Sequence, residues 1–196
     1  MRLQIHRSDG RTGRYLQDNQ RRAGALVLRL DPAKLFLSGP IVVGVHNPFT
    51  VLNPDEVCWI RIDEAGDMPG CEFRTSLPPG IDSVRWLPTR QDYENILARQ
   101  WPKWRLNAGS NSAQLLEALV ELTLKSSEQM YLHILGQSVD QPLADLVFSP
   151  PAITAEAGPD SMFYINPRAV VRARIYHSRD TVTYPNGILM VEAEDI

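Results

Sequence analysis

The segment from Asn111 to Lys125 constrains the fold more than any other stretch, because it carries the clearest helical pattern in the chain. At about 100° per residue, its hydrophilic side chains share one narrow strip, and its aliphatic side chains cover most of the remaining circumference. An apolar face that wide has to be covered on more than one side. The segment therefore predicts a central scaffold helix over 111–126, capped by Asn111 and Gln114. The strip consists of Gln114, Glu117, Glu121 and Lys125.

A second amphipathic helix is predicted over 89–101. Thr89 stands three residues before Asp92, which is the spacing of an N-terminal cap, and Pro102 is expected to end the helix. After the central helix, the apolar run 130–135 favours a buried strand, with a further helix as the alternative. One face of the second helix carries Tyr93, Ile96, Leu97 and Trp101.

Two stretches of the chain repeat the same order of residues. Both 52–62 and 165–175 place Asn-Pro near the start and Arg-Ile at the end, and Pro-Pro-Gly-Ile at 78–81 has a counterpart in Pro-Asn-Gly-Ile at 185–188. Asn-Pro disfavours a helix at the asparagine, and glycine with asparagine or proline favours a hairpin turn. We interpret the repeat as an internal duplication of a three-stranded β-meander. The strands are expected at 57–62, 71–77 and 82–87, and again at 170–176, 181–184 and 188–193.

The turn and strand order headed by Asn-Pro resembles the small β-meanders of LytTR-type DNA-binding domains and of flagellar FlbD-like proteins. The resemblance covers the two repeat copies and rests on turn residues. It therefore assigns no functional role to any residue.

These patterns together predict an α+β fold, with two related three-stranded antiparallel β-meanders packed against two central amphipathic helices. The copies span about 49–87 and 162–194. We expect a basic N-terminal arm at 1–24, loop-like over 7–22, and a single α+β domain at 25–196. The hydrophobic content of 43% and charged content of 22% are typical of a globular protein. Further strand candidates are 25–30 and 41–45, and 141–158 is expected to be a loop.

The charge is distributed unevenly along the chain. Residues 1–22 contain six arginines against two aspartates, although the net charge of the whole chain is −3. Such an arm can bind nucleic acid, a phosphate group or an acidic protein surface, or it can pair with the acidic body of the same chain. Residues 101–105 mix tryptophan with cations, as single-strand-binding surfaces do, although tryptophans in the core are the alternative. The candidate nucleic-acid or anion-binding residues are Arg7, Arg11, Arg14, Arg21, Arg22, Trp104 and Arg105.

The sequence contains none of the local motifs that identify an enzyme. It has no Gly-x-Ser-x-Gly, no glycine-rich phosphate loop and no closely spaced histidine pair that would bind a metal. We therefore assign no catalytic residue, no cofactor and no metal site. His46, Asp63 and His177 are candidates for lining a pocket, and they would serve a small enzyme whose catalytic residues are dispersed.

No run of about 18 apolar residues is present, so we expect no membrane span. The first ten residues lack the apolar region of a secretory signal, and Cys58 and Cys71 are expected to be reduced, which favours the cytoplasm. The leading hypothesis is a non-catalytic binding or assembly module that contacts a protein partner or another copy of itself. The alternatives are a nucleic-acid-binding protein that uses residues 1–22, and a small enzyme.

Overall fold

The structure, a computed structural model, describes residues 1–37, 39–44, 49–63, 73–106, 115–137 and 144–178. Short 3-10 turns, Pro54–Glu56 and Pro167–Ala169, precede the fifth and eleventh strands. In chain order the elements are β1 (Arg2–Arg7), β2 (Thr12–Leu16), α1 (Gln20–Arg29), β3 (Ile41–Val43), β4 (Thr50–Leu52), β5 (Val57–Asp63), β6 (Ile81–Leu87), α2 (Arg90–Leu106), β7 (Leu116–Leu124), β8 (Gln129–Gly136), α3 (Asp145–Phe148), β9 (Ile153–Gly158), β10 (Ser161–Ile165) and β11 (Val170–His177).

Among the described residues, nine strands form one mixed sheet in the order β11-β7-β8-β6-β9-β10-β5-β1-β2, and β3 and β4 form a separate two-stranded sheet. The neighbours β6 and β9 are parallel, whereas the other neighbouring pairs are antiparallel. Several of these pairs, such as β5 with β10 and β6 with β9, join segments that are distant in the sequence.

Strands that are far apart in the order of the large sheet contribute side chains to one common core. Trp59 on β5 donates from Nε1 to Glu128 Oε2, 2.7 Å away, in the turn between β7 and β8. The Lys125 amide donates to the carbonyl of Ala169 at 2.8 Å. Side chains from β5 and β10 thus pack with those of β7 and β8. The largest members of this core include Trp59, Phe163, Leu122, Leu132 and Ile165.

The two halves of the sheet have different covers on their outer faces. On the β7–β8 half, α2 packs Tyr93 and Trp104 against Leu119 and Tyr131. On the β1–β5–β10 half, α1 and the β3–β4 hairpin cover an apolar cluster that contains Ile5, Val27, Phe36, Ile60 and Ile62. α1 and α2 therefore lie on the outer faces of the sheet, and the central core is built mainly from strands, with Val147 of α3 added to it.

The predicted central helix over 111–126 is wrong, because its described part forms strand β7 (Leu116–Leu124). Leu116, Val120 and Leu124 point into the central core, while Leu119 on the opposite face packs under α2. The even positions of β7 are all apolar and buried, and Leu119 is the apolar residue among the odd positions, where Glu117, Glu121 and Thr123 are only half-buried. On a helical wheel Leu119 joins the even-position residues in a broad apolar arc, which is why the segment resembled a helix.

The predicted fold of two β-meanders around two central helices is also wrong. β5 pairs with β1 and β10, and β6 pairs with β8 and β9, so β5 and β6 are not neighbours. Residues 73–77 contain no strand, and the second copy beyond residue 178 lies outside the described residues. Turn residues determine where the chain reverses, but the pairing of a strand depends on distant segments that local sequence does not identify.

Several individual elements were predicted correctly. The strand at 130–135 is confirmed as β8, and the helix at 89–101 is confirmed as α2, although α2 continues through Pro102 to Leu106. Thr89 and Asp92 cap this helix reciprocally, since each backbone amide donates to the side chain of the other residue. The strand expected at 25–30 is wrong, because these residues belong to α1 and its end.

The N-terminal residues are part of the fold, and the expectation of a loop over 7–22 is wrong. β1 lies between β5 and β2 in the large sheet, and β2 and the beginning of α1 follow within the same stretch. The boundary expected after residue 24 falls inside α1. The loop expected at 141–158 contains α3 and β9 in its described part.

Candidate functional site

An elongated groove lies between α1, the sheet and the β3–β4 hairpin, and we call it the α1 groove. Its volume is about 560 Å³, which is within the range of ligand-binding clefts. The floor is formed by Leu3, Ile5 and Ile60 of β1 and β5, one wall by Ala25, Leu26 and Leu30 at α1 and its end, and the other by Ile41, Val42 and Val43 of β3. These walls are aliphatic, so the groove favours an apolar occupant.

The local sequence explains how α1 becomes one wall. Asn19 caps the helix, because its side chain accepts a hydrogen bond from the Arg22 amide at 3.0 Å. Ala23 and Val27 are buried on the sheet side of α1. Leu26 and Leu30 stand three and seven residues after Ala23, so they extend the same apolar face toward the groove.

Two glycines bound the strand that forms the opposite wall. Gly39 has a φ of 111° and Gly44 a φ of 99°, both in a region that side-chain-bearing residues rarely adopt. β3 lies between them and pairs with β4 through Ile41–Leu52, Val42–Val51 and Val43–Thr50. The reversals at the glycines therefore place a short strand beside α1.

The outer face of the hairpin extends the apolar surface beyond the groove. Val42 and Val51 are cross-strand partners, and they are 56% and 54% exposed. Phe49, just before β4, is also largely exposed. Val42 lines the groove as well, so the exposed face of the hairpin adjoins the groove at this residue, and an exposed apolar patch of this kind is a common mark of a binding site.

The rim of the α1 groove is positively charged. Arg22 and Gln17 contribute its polar lining, and Arg21 is exposed next to Arg22. The first turn of α1 contains no acidic residue, although the helix N-terminus carries a partial positive charge. The rim is therefore suited to an acidic group at the end of an apolar segment.

The predicted arginine site divides between two places. Arg7 and Arg11 lie at the turn end of the β1–β2 hairpin, where Arg7 pairs with Asp9 at 3.1 Å. Arg14 is exposed on β2, whereas Arg21 and Arg22 begin α1. The structure thus assigns the arginines to the sheet edge and to the α1 groove.

Trp104 and Arg105 are at the end of α2. The Trp104 side chain is buried with Leu119 and Tyr131, which leaves little of its ring for stacking on a base. Trp101 is the more exposed tryptophan and meets Trp104 edge-on, with ring centroids 6.5 Å apart. The Arg105 side chain lies outside the described part of the structure.

Among the pocket candidates, Asp63 is held in a hydrogen-bond network. Its carboxylate accepts from Arg61 Nε at 2.7 Å, Ser161 Oγ at 2.7 Å and Gln4 Nε2 at 3.2 Å. Burial alone would raise the pKa of Asp63, but the hydrogen bonds from Ser161 and Arg61, the charge of Arg61 and the hydrogen bond from Gln4 lower it. This arrangement keeps Asp63 ionised and fully engaged.

Within the described residues, the structure does not bring the pocket candidates close together. His177 lies on β11 opposite Ala118, and five strands separate β11 from β5 in the sheet order. His46 lies outside the described residues. Within the described ranges, no group of three histidine, cysteine, aspartate or glutamate side chains is arranged to hold a metal ion.

Two arrangements were missed at the sequence level. The α1 groove was missed because 25–30 was interpreted as a strand, although Asn19 and apolar residues at helical spacing would have indicated α1. The second is a polar cluster in which Thr12 Oγ1 lies 2.9 Å from His6 Nδ1, and Glu128 Oε2 lies 3.2 Å from His6 Nε2 without hydrogen-bond alignment. Because Trp59 binds the same carboxylate and stacks on His6, the cluster joins β1 to the β7–β8 turn.

Comparison of the chain with protein-family models, with curated proteins and with solved structures finds no match. In the part of the chain that the structure describes, no helix is long and apolar enough to cross a membrane.

Proposed function

We propose that this protein is a non-catalytic binding module that holds an apolar segment of a partner protein in the α1 groove. The observation that supports this most directly is the continuity between the aliphatic groove and the exposed Val42–Val51 pair of the hairpin. Each valine or leucine side chain that such a partner buries contributes about 1.5–3 kcal/mol. A few anchoring side chains would therefore suffice for a specific complex.

The charge at the rim supports an acidic partner. Arg22 lines the groove and Arg21 is exposed beside it, while the nearby acidic residue Asp18 stands before the Asn19 cap and the first turn of α1 contains none. A carboxylate next to the apolar anchors would form a charge-assisted hydrogen bond with a guanidinium. We expect the arginines to influence the rate and specificity of association more than its affinity.

The test uses random peptides displayed on phage and selected on the full-length protein. We expect the enriched peptides to combine apolar anchors with an aspartate or glutamate, and to lose binding to a Val42→Glu variant. Leu115→Glu is the matched control, because Leu115 is an exposed apolar residue that precedes β7 on the other half of the sheet. Circular dichroism and urea melts establish that both variants fold. No enrichment, or equal binding to both variants, would remove the proposal.

Nucleic-acid binding is the second candidate, and the exposed arginines favour it. The Arg11 side chain is 81% exposed, and Arg14, Arg21 and Arg22 are exposed as well. Phosphate contacts by these residues would show a salt slope of about −0.9 per contact on duplex DNA. Deleting 1–22 is not a suitable test, because it removes β1, the partner of β5.

A variant with Arg11, Arg14 and Arg21 changed to glutamine tests this candidate without removing a strand. Labelled duplex and single-stranded oligonucleotides are titrated at low and near-physiological salt. Nucleic-acid binding predicts salt-sensitive association that the triple variant strongly weakens. Absence of association at low salt, or equal association by the variant, would leave the protein-binding proposal alone.

A further inference from the structure

The strand β2 ends the large sheet in the part of the chain that the structure describes. It pairs there with β1 alone, in an unbroken antiparallel register from Arg2–Leu16 to His6–Thr12. An edge strand presents a row of backbone N–H and C=O groups that can pair with another strand. The edge is regular, and its side chains alternate in exposure.

The two faces of β2 differ in chemistry. Thr12, Arg14 and Leu16 are exposed on one face, and Leu16 is 74% exposed. On the other face Tyr15 covers Gly13, where a Cβ would lie only 2.8 Å from the tyrosine hydroxyl oxygen. A strand added to this edge would therefore place side chains beside a cation and an aliphatic group on one face.

A second copy of this chain is disfavoured as the added strand. Antiparallel pairing of β2 with itself in the register that matches all five residues would place Arg14 opposite Arg14. Like charges that face each other across two strands are destabilising, whereas opposite charges are stabilising. Arg11 next to the strand is 81% exposed but lies 4.0 Å from Asp9 Oδ2 through its Nε, so the preference for an acidic partner rests on Arg14.

We propose that β2 is a docking edge that takes an extended acidic segment of a partner protein as an added antiparallel strand. The segment has a carboxylate opposite Arg14 and, two residues earlier, an apolar side chain opposite Leu16. Backbone hydrogen bonds supply the attachment, and these two side chains define the register. This surface is distinct from the α1 groove, so the two proposals can fail separately.

The test titrates the full-length, isotope-labelled protein with the acetylated and amidated peptide Thr-Leu-Thr-Asp-Val-Glu-Thr and follows backbone amides by NMR. We expect saturable shifts at the β2 amides and slower amide exchange there. Arg14→Glu should weaken this binding about tenfold and strengthen binding of the same peptide with lysine at both acidic positions. Arg99→Glu is the matched control, because Arg99 is exposed on α2, the helix that covers the other half of the sheet, and this variant should bind like the wild type.

Three further measurements distinguish other occupants. A peptide N-methylated at alternate amides should not bind, and binding equal to that of the parent would show that charge alone attracts it. Dimerisation of the wild type that Arg14→Glu abolishes would identify a second copy as the occupant. Displacement of the peptide by a single-stranded oligonucleotide in low salt would identify nucleic acid. Equal binding of the N-methylated peptide, dimerisation that Arg14→Glu abolishes, or displacement by the oligonucleotide would each overturn the proposal. The absence of any shift at β2 with the acidic peptide would overturn it as well.

Discussion

The two Asn-Pro segments, 52–62 and 165–175, have the same local structure. Asn53 has φ −72° and ψ 123° and accepts a hydrogen bond from the Asp55 amide. Asn166 has φ −78° and ψ 114° and accepts from the Arg168 amide. In both segments a 3-10 turn follows and leads directly into a strand. The shared sequence thus corresponds to a shared local conformation, which covers the turn and the strand after it and does not extend to a three-stranded meander.

The strands that follow the two turns differ in their position in the sheet and in their burial. β5 lies between β1 and β10 and is buried at nearly every position, whereas β11 has β7 as its neighbour among the described residues and is only partly buried. For the two asparagines the order of burial is reversed. Asn166 is fully buried and donates from Nδ2 to the carbonyls of Pro54 and Val57, whereas Asn53 is exposed. A turn motif therefore determines conformation, while its neighbours determine its contribution to stability.

The largest effect is expected from truncating the interior strand. Ile62→Ala should lower the free energy of unfolding by about 2–5 kcal/mol, because Ile62 is fully buried in the cluster under α1. Its counterpart Ile175 is only partly buried, so Ile175→Ala should lower it by less than about 2 kcal/mol. Urea denaturation measures both values. Equal losses would show that β11 is buried as deeply as β5.

The next effect is expected from the turn of the second segment. Asn166→Ala removes the cap of its own turn and two hydrogen bonds to the first turn, and it should lower the free energy of unfolding by about 2–4 kcal/mol. Asn53→Ala removes only a cap and should lower it by about 1 kcal/mol. Thermal or urea melts of the two variants compare them directly. If Asn53→Ala matched Asn166→Ala, the contrast between the turns would be lost.

A pH-dependent effect is expected at the end of β5. The pKa of Asp63 is lowered on folding despite burial, through Ser161, Arg61 and Gln4, so its carboxylate stabilises the fold above the unfolded-state pKa of about 3.9. This stabilisation disappears as the pH falls through the folded-state pKa. Asp63→Asn should therefore lower the free energy of unfolding by about 1–3 kcal/mol at pH 7 and by less near pH 3.

The control for this measurement is Asp82→Asn, because Asp82 is an exposed aspartate on β6. As an exposed substitution, it should change the free energy of unfolding by less than about 0.5 kcal/mol at pH 7. A difference between wild type and Asp63→Asn that stayed constant from pH 7 to pH 3 would mean that Asp63 contributes through packing and not through its charge.

How much of this fold the sequence predicts depends on how far apart in the chain the interacting residues lie. The cap at Thr89 and Asp92 and the turn at Asn166 depend on residues within three positions, and both were readable. For β7 the sequence carried a strand signal, since each even position from Leu116 to Leu124 is apolar, but the helical spacing that Leu119 completes was given more weight. Leu119 is apolar because it packs under α2, a contact that only the fold reveals.

The candidate site shows the same division. The exposed arginines were identified from composition, yet their separation into a sheet edge and a helix start depends on where β2 and α1 lie. The floor of the α1 groove combines Leu3 and Ile60, which meet only because β1 pairs with β5. A surface that is assembled by long-range strand pairing cannot be predicted from local sequence patterns until the sheet order is known.

The smallest effect is expected from the ion pair that links the two Asn-Pro turns. Arg168 Nη1 lies 3.3 Å from Asp55 Oδ1, and the two side chains are 57% and 58% exposed. Water and salt screen a pair this exposed, so its coupling energy should be about 0–1 kcal/mol. A double-mutant cycle with Asp55→Asn and Arg168→Gln isolates that energy, and repeating it in high salt should reduce it toward zero. A coupling above about 1 kcal/mol that persists in salt would mean that charge, and not the buried amide of Asn166, holds the two turns together.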